Sequence, residues 1–308
     1  MDALLDRLAR HLWPLAVANL VANIGIVVTG AAVRLTGSGL GCPTWPRCTD
    51  ASYVAHGELG INGAIEFGNR LLTFGLSAVA ILCFLAALGA GHRRATRLAF
   101  VVGLGIPLQA VIGGITVLTD LNPWIVAGHF LLSMAIIMVC VALLDELRSP
   151  QRSSAPPVPR ALAWATLCAG WVVLYLGTVV TGAGPHAGDS ESPRNGLDPA
   201  TVSQAHAASV YVLVALTVAL LVVALRGGHR WLATVTSLVL LIEVLQGTLG
   251  WVQYWLDLPV GLVALHMLGA ALLAAGLARI ALAVLPHSSS LEARADGRPQ
   301  ADAATRAP

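Results

Sequence analysis

Charge is scarce in this chain: 11% of its 308 residues are charged, and lysine is absent altogether. With 56% hydrophobic residues and a mean hydropathy of +0.77, a water-soluble domain of this length would expose more apolar surface than folded proteins tolerate, so that class is excluded. Cysteine is sparse too. Five are too few for a disulfide scaffold, and Cys83, Cys140 and Cys168 lie in apolar runs where a thiol behaves as a small buried hydrophobe. The apolar runs lack the strict alternation of a membrane barrel, which leaves helices as the spanning form, since lipid satisfies no open backbone groups. A net charge of +2 offers no basic face, and no nucleic-acid partner is expected.

Eight apolar runs are present, near 14–33, 66–88, 98–118, 124–144, 162–182, 203–225, 232–255 and 259–285. A span needs about 20 residues at 1.5 Å rise, so the expected class is an all-α membrane protein with eight transmembrane helices. Arginines cluster in alternate connections: Arg7 and Arg10; Arg93, Arg94 and Arg97; Arg148, Arg152 and Arg160; Arg226 and Arg230; Arg294, Arg298 and Arg306. The intervening loops hold only Arg34, Arg47 and Arg194, with Arg70 just inside the second span. The positive-inside rule places both termini in the cytoplasm and the loops 34–65 and 183–202 outside. The first apolar run is too long for a signal peptide and is read as a retained span. A Pro/Ser-rich stretch, 149–160, divides the chain, giving a cytoplasmic N-terminus (1–13), a first four-helix bundle (14–148), the linker, a second bundle (161–285) and a polar cytoplasmic tail (286–308) for which no structure is expected. Arg in place of Lys, with abundant Ala, Gly and Leu, suggests a GC-rich bacterial genome and hence a bacterial plasma membrane.

An internal repeat carries the most information. A shift of 137 residues aligns Gln109 with Gln246, Gly113 with Gly250, Asp120 with Asp257 and His129 with His266. The same shift sets Asn69 on His206 and Glu66 on Ser203, and a shift of 152 sets the Val-Val-Thr-Gly-Ala run at 27–31 on its copy at 179–183. Four spans per half is an even number, so the halves share one orientation, related by a pseudo-two-fold along the membrane normal.

Coordinating side chains inside a span are costly and mark function. Of His129, His206 and His266, any one alone could be a helix-packing hydrogen bonder. Together, His206 and His266 stand at similar depth near the outer face, on two helices of one bundle, flanked by Ala and Gly that leave room for a porphyrin; they are expected to ligate one heme iron from opposite sides. In the first half His129 repeats His266 while Asn69 stands where the other ligand would be, so a heme there has one strong protein ligand and an open position suited to chemistry. Glu66, three residues before Asn69 on the same helix face, points a carboxylate toward that cavity or pairs with Arg70 four residues on. Glu243 is a second carboxylate inside a span, with no assigned role. Cys42 and Cys48 lie in an outer loop where a disulfide can close, as a permanent staple or as a redox-active pair. His186 in the second outer loop has no cysteine partner; it binds a propionate or nothing.

The motifs TGAAVRLTGSGLGCPTWPRC, IEFGNRLL, GHFLLS, TGAGPHAGD, QAHAA and ALHMLG, spread over residues 14–285, resemble those of the heme A synthases. The resemblance implies an oxidoreductase that takes the C8 methyl of heme O to a formyl group by successive hydroxylations. It implies His206 and His266 as heme b ligands, His129 on the substrate-heme side, Glu66 as the catalytic carboxylate, and Cys42 with Cys48 as the outer-loop pair. The chain departs from the family at Asn69, where a histidine is usual in an ExxH motif, and lacks the second-loop cysteines of some members. Asn69 then serves as a weak ligand, holds a water on the iron, or leaves the position vacant. Expected partners are heme O, the lipid bilayer, a heme O synthase, a quinone or other electron acceptor, and a further copy of the chain. A bis-His electron-transfer or quinol oxidoreductase cytochrome is the competing reading, disfavoured by the Asn69 asymmetry. A transporter is disfavoured by histidines near the outer face.

Overall fold

The computed structural model describes residues 2–148 and 154–286, and among these the chain forms helices and no strand. Among the described residues eight helices are long and apolar enough to cross a membrane. In chain order, a short α1 (Asp2–Ala9) precedes the spans α2 (Leu12–Leu35), α3 (Gly60–Gly89), α4 (Arg93–Leu118), α5 (Pro123–Arg148), α6 (Pro157–Ala183), α7 (Pro199–Arg226), α8 (Arg230–Trp255) and α9 (Val260–Ala283). The expected spans recur, with ends extended where polar first turns dilute the hydropathy. Thus α3 begins at Gly60 rather than 66, and α6 at Pro157, inside the stretch expected as linker. Proline opens α5, α6 and α7, where its missing N–H costs nothing and its fixed φ suits a first turn. Asp198 caps α7 by accepting from the backbone N–H of Thr201 at 2.8 Å and its hydroxyl at 2.6 Å, which holds the carboxyl below the ordinary carboxylate range. Residues 149–153 of the expected linker and 287–308 of the expected tail lie outside the described residues.

Polarity is arranged for lipid. Phe74, Phe100, Leu104, Leu241 and Leu245 are exposed, whereas Asn19, Asn23, Thr166, Thr217 and Glu243 are buried. Each half closes a ring of neighbours: α2 on α3, α3 on α4, α4 on α5 and α5 back on α2; then α6 on α7, α7 on α8, α8 on α9 and α9 back on α6. The halves join through α5 and α9, with α2 also on α9 and α5 on α6. Both inter-helix turns that follow the repeat's aspartate are alike in backbone: Asp120 and Leu121 have φ of 52° and 59°, Asp257 and Leu258 of 57° and 58°.

Two features were not legible beforehand. The helix α1 crosses the end of α3 so closely that a Cβ on Gly89 would stand 2.4 Å from the Leu5 carbonyl oxygen. And Arg279, inside the apolar run of α9, forms an ion pair with Asp145 of α5 across the junction of the halves, its guanidinium 5.0 Å from the Trp231 ring centroid.

Candidate functional site

In the second half, His206 projects from α7 and His266 from α9. Each residue is only half-buried, yet its Nδ1 is enclosed and makes no hydrogen bond. In the ring of the second half α7 and α9 stand opposite each other, each between α6 and α8, so the two imidazoles are carried by facing helices. Each imidazole rests against a glycine of a neighbouring helix. A Cβ on Gly177 of α6 would be 3.3 Å from His206 Cε1, and one on Gly250 of α8 would be 3.7 Å from His266 Cε1. Two uncommitted imidazoles over side-chain-free helix surface fit a planar group held axially from two sides.

The first half repeats part of this. His129 of α5 has an enclosed, unpartnered Nδ1, and a Cβ on Gly113 of α4 would be 3.3 Å from its Cε1. Gly113 and His129 are the repeat partners of Gly250 and His266, so one histidine and its glycine floor occur in both halves. The Gln109 amide holds the turn that carries His129, donating to the His129 carbonyl at 3.0 Å and to Ser133 Oγ at 2.5 Å. The other side differs. Asn69 Oδ1, its only good ligating atom, accepts from Thr29 Oγ1 at 2.7 Å.

The loop between α2 and α3 covers this half, and Cys42 and Cys48 are joined by a disulfide. The Trp45 ring lies on Gly114, the residue after the glycine beneath His129; a Cβ there would be 2.3 Å from the ring. Glu66 is buried, and its carboxylate does not hang free in a cavity. Oε2 accepts from the Cys42 backbone N–H at 2.5 Å, and Oε1 accepts from Arg70 Nε at 3.1 Å and Nη2 at 2.5 Å. The Arg70 guanidinium also donates to the carbonyls of Cys42 (3.2 Å), Thr44 (3.1 Å) and Arg47 (3.2 Å). Glu66 and Arg70 therefore form a latch between a span and the disulfide loop, the pairing that their four-residue spacing allowed.

The second outer loop is pinned differently. His186 Nε2 lies 2.9 Å from the Leu258 carbonyl oxygen, Gly39 N–H donates to the Gly188 carbonyl at 2.8 Å, and Arg34 reaches from the end of α2 to the His186 carbonyl at 2.5 Å and the Thr181 carbonyl at 3.1 Å. The role of Arg34 was not read from sequence, where it was one of the few outer arginines. Glu243 lies deeper in the second bundle, accepting from Thr217 Oγ1 at 2.8 Å, with Oε2 buried and unpartnered.

A family model described as cytochrome oxidase assembly protein (COX15-CtaA) matches residues 13–60 and 58–191. The chain is similar to curated proteins named heme A synthase: 29% identical to that of Bacillus licheniformis, over 54% of this chain and 57% of the relative. It is 31% identical to that of Lysinibacillus sphaericus, over 56% and 58%. It is 28% identical to that of Bradyrhizobium sp. (strain ORS 278), over 85% and 87%. The matched stretch spans somewhat more than half the length of the Bacillus and Lysinibacillus proteins.

Proposed function

The chain belongs to the COX15-CtaA family of cytochrome oxidase assembly proteins, and from that premise we propose that it is a heme A synthase, oxidising the C8 methyl of heme O to a formyl group by successive hydroxylations. The observation that carries this reading is the unequal pair of glycine-floored histidine sites. In the second half, His206 and His266 would hold heme b from two sides, and heme b supplies one-electron transfer when bound. In the first half, His129 would hold the substrate heme from one side, because Asn69 Oδ1 is engaged by Thr29. A site with one strong ligand suits chemistry, and a closed bis-His site suits electron storage. This asymmetry favours the enzyme over a plain electron-transfer cytochrome.

What the protein's own residues do follows from their contacts. Trp45 and the disulfide loop shield the outer side of the first half from water. Each hydroxylation removes an electron pair and releases protons, and Glu66 is the buried carboxylate nearest the loop that can move them outward, with Arg70 and the Cys42 N–H fixing its oxygens. The two halves, at 14–148 and 161–285, act as a substrate-heme half and a heme b half. A bacterial plasma membrane with both termini cytoplasmic matches the arginine distribution, and a heme O synthase, a quinone or other acceptor, and a further copy of the chain are the partners this activity would use.

The test is heme extraction and chromatography of the purified protein. His206→Ala should lose heme B while His129→Ala loses heme O and heme A and keeps heme B. Heme B alone in every variant would leave the electron-transfer cytochrome as the correct reading. Glu66→Gln, normalised to bound heme B, should lower heme A output by at least about tenfold, within the range of a lost proton-transfer group; undiminished output would remove Glu66 from the chemistry.

A further inference from the structure

Among the described residues Arg34 has no carboxylate partner, and it binds backbone carbonyls instead. It sits in the last turn of α2, donates Nε to the His186 carbonyl and Nη2 to the Thr181 carbonyl, and leaves Nη1 without a protein acceptor among the described residues. Arg194 binds the same loop, donating to the carbonyls of Gly184 and Pro185, the latter next to His186, and to that of Ser192. Two arginines meet the carbonyls of one loop, with no acidic side chain on either among the described residues, Arg34 half-buried and Arg194 exposed. The half-buried Arg34 guanidinium is the one that an anion would complete.

The place is defined by α6. His206 rests on Gly177, and Thr181 stands one helical turn farther toward the outer end, its hydroxyl donating to the Gly177 carbonyl at 2.8 Å. Arg34 binds the Thr181 carbonyl, so the guanidinium lies about 6 Å along the helix, at 1.5 Å per residue, outward of the surface on which the His206 ring rests. It comes from the first half but serves the second. By the shift of 152 residues its repeat partner is His186, whose ring lies against the Leu258 carbonyl instead.

We propose that Arg34, supported by Arg194, is the anchor for a propionate carboxylate of the heme held by His206 and His266, so that the first half supplies part of the second half's cofactor site. This rests on the proposed second-half heme. Guanidinium and carboxylate form the strongest class of hydrogen-bonded ion pair, and a free Nη1 beside a carbonyl-fixed Nη2 presents the needed donors.

The experiment uses full-length protein expressed without heme supply and titrated with protoheme or with its propionate dimethyl ester, followed by potentiometry of the bound heme. The wild type should bind the ester about tenfold more weakly, the effect of one charged hydrogen bond. Arg34→Gln should bind both hemes alike, at the weaker value, with a lowered midpoint potential because a cation favouring the reduced iron is gone. Arg34→Lys should restore part of both. Equal preference for acid and ester in the wild type, or an unchanged potential in a folded Arg34→Gln protein, would overturn the anchor. A heme signal that survives His206→Ala would overturn the second-half heme itself, and the anchor with it.

Discussion

At the scale of single residues, what distinguishes the histidines is the surface beneath them. Gly113, Gly177 and Gly250 leave each ring lying on bare backbone, and an added branched side chain would push the ring out of the position from which it would hold the proposed heme. Gly177→Val, whose Cβ would stand 3.3 Å from His206 Cε1 and press on that ring, should cut heme B content of the purified protein about tenfold, the effect of 1–3 kcal/mol of overpacking. Gly113→Val should spare heme B and deplete heme O and heme A. Equal loss of all hemes from both variants would show that the glycines serve folding rather than separate sites. The histidines were legible because they are rare polar letters in apolar runs and because the repeat aligns His129 with His266. The glycines were not, since 31 occur in the chain and only tertiary packing singles out three. Arg34 was invisible as a contact for a related reason: its partners are backbone carbonyls, which every residue has, and of the contacts of Arg70 only the one to Glu66 could be read from spacing.

At the scale of elements, hydropathy located all eight spans, and their ends escaped it because capping residues and first-turn prolines are polar or neutral. The short α1 escaped as well, being too brief and too charged to register. The outer loops were readable only as loops. That one of them lies down on α4 depends on Gly114 accepting Trp45, a fit of surfaces that no spacing encodes. Gly114→Val should therefore lift the loop and expose the Cys42–Cys48 disulfide, with reduction by a water-soluble phosphine several-fold faster than in the wild type while heme B absorbance is retained. An unchanged reduction rate would mean that the Glu66 and Arg70 latch alone fixes the loop.

For the whole molecule, the repeat gives the expectation of two four-helix units and says nothing of which helices pack between them. The junction through α5 and α9 includes the Asp145–Arg279 ion pair, one member of which lay hidden in an otherwise apolar run. Leaving one buried charge without the other is the costly case. Arg279→Leu should lower stability in detergent by about 3 kcal/mol, and Asp145→Leu combined with Arg279→Leu should recover most of it. A double variant as unstable as the single one would show that the pair is not the partnership that matters at this interface.

The latch on α3 also bears on biogenesis. Glu66 and Arg70 stand one turn apart on one helix, so each can neutralise the other while α3 is still leaving the translocation machinery, before the loop they later fasten has folded. An isolated arginine in that position would burden insertion of the second span. The same two side chains thus first lower the cost of entering the bilayer and afterwards secure the disulfide loop above it, and a substitution at either position has its earliest effect on how much protein reaches the membrane.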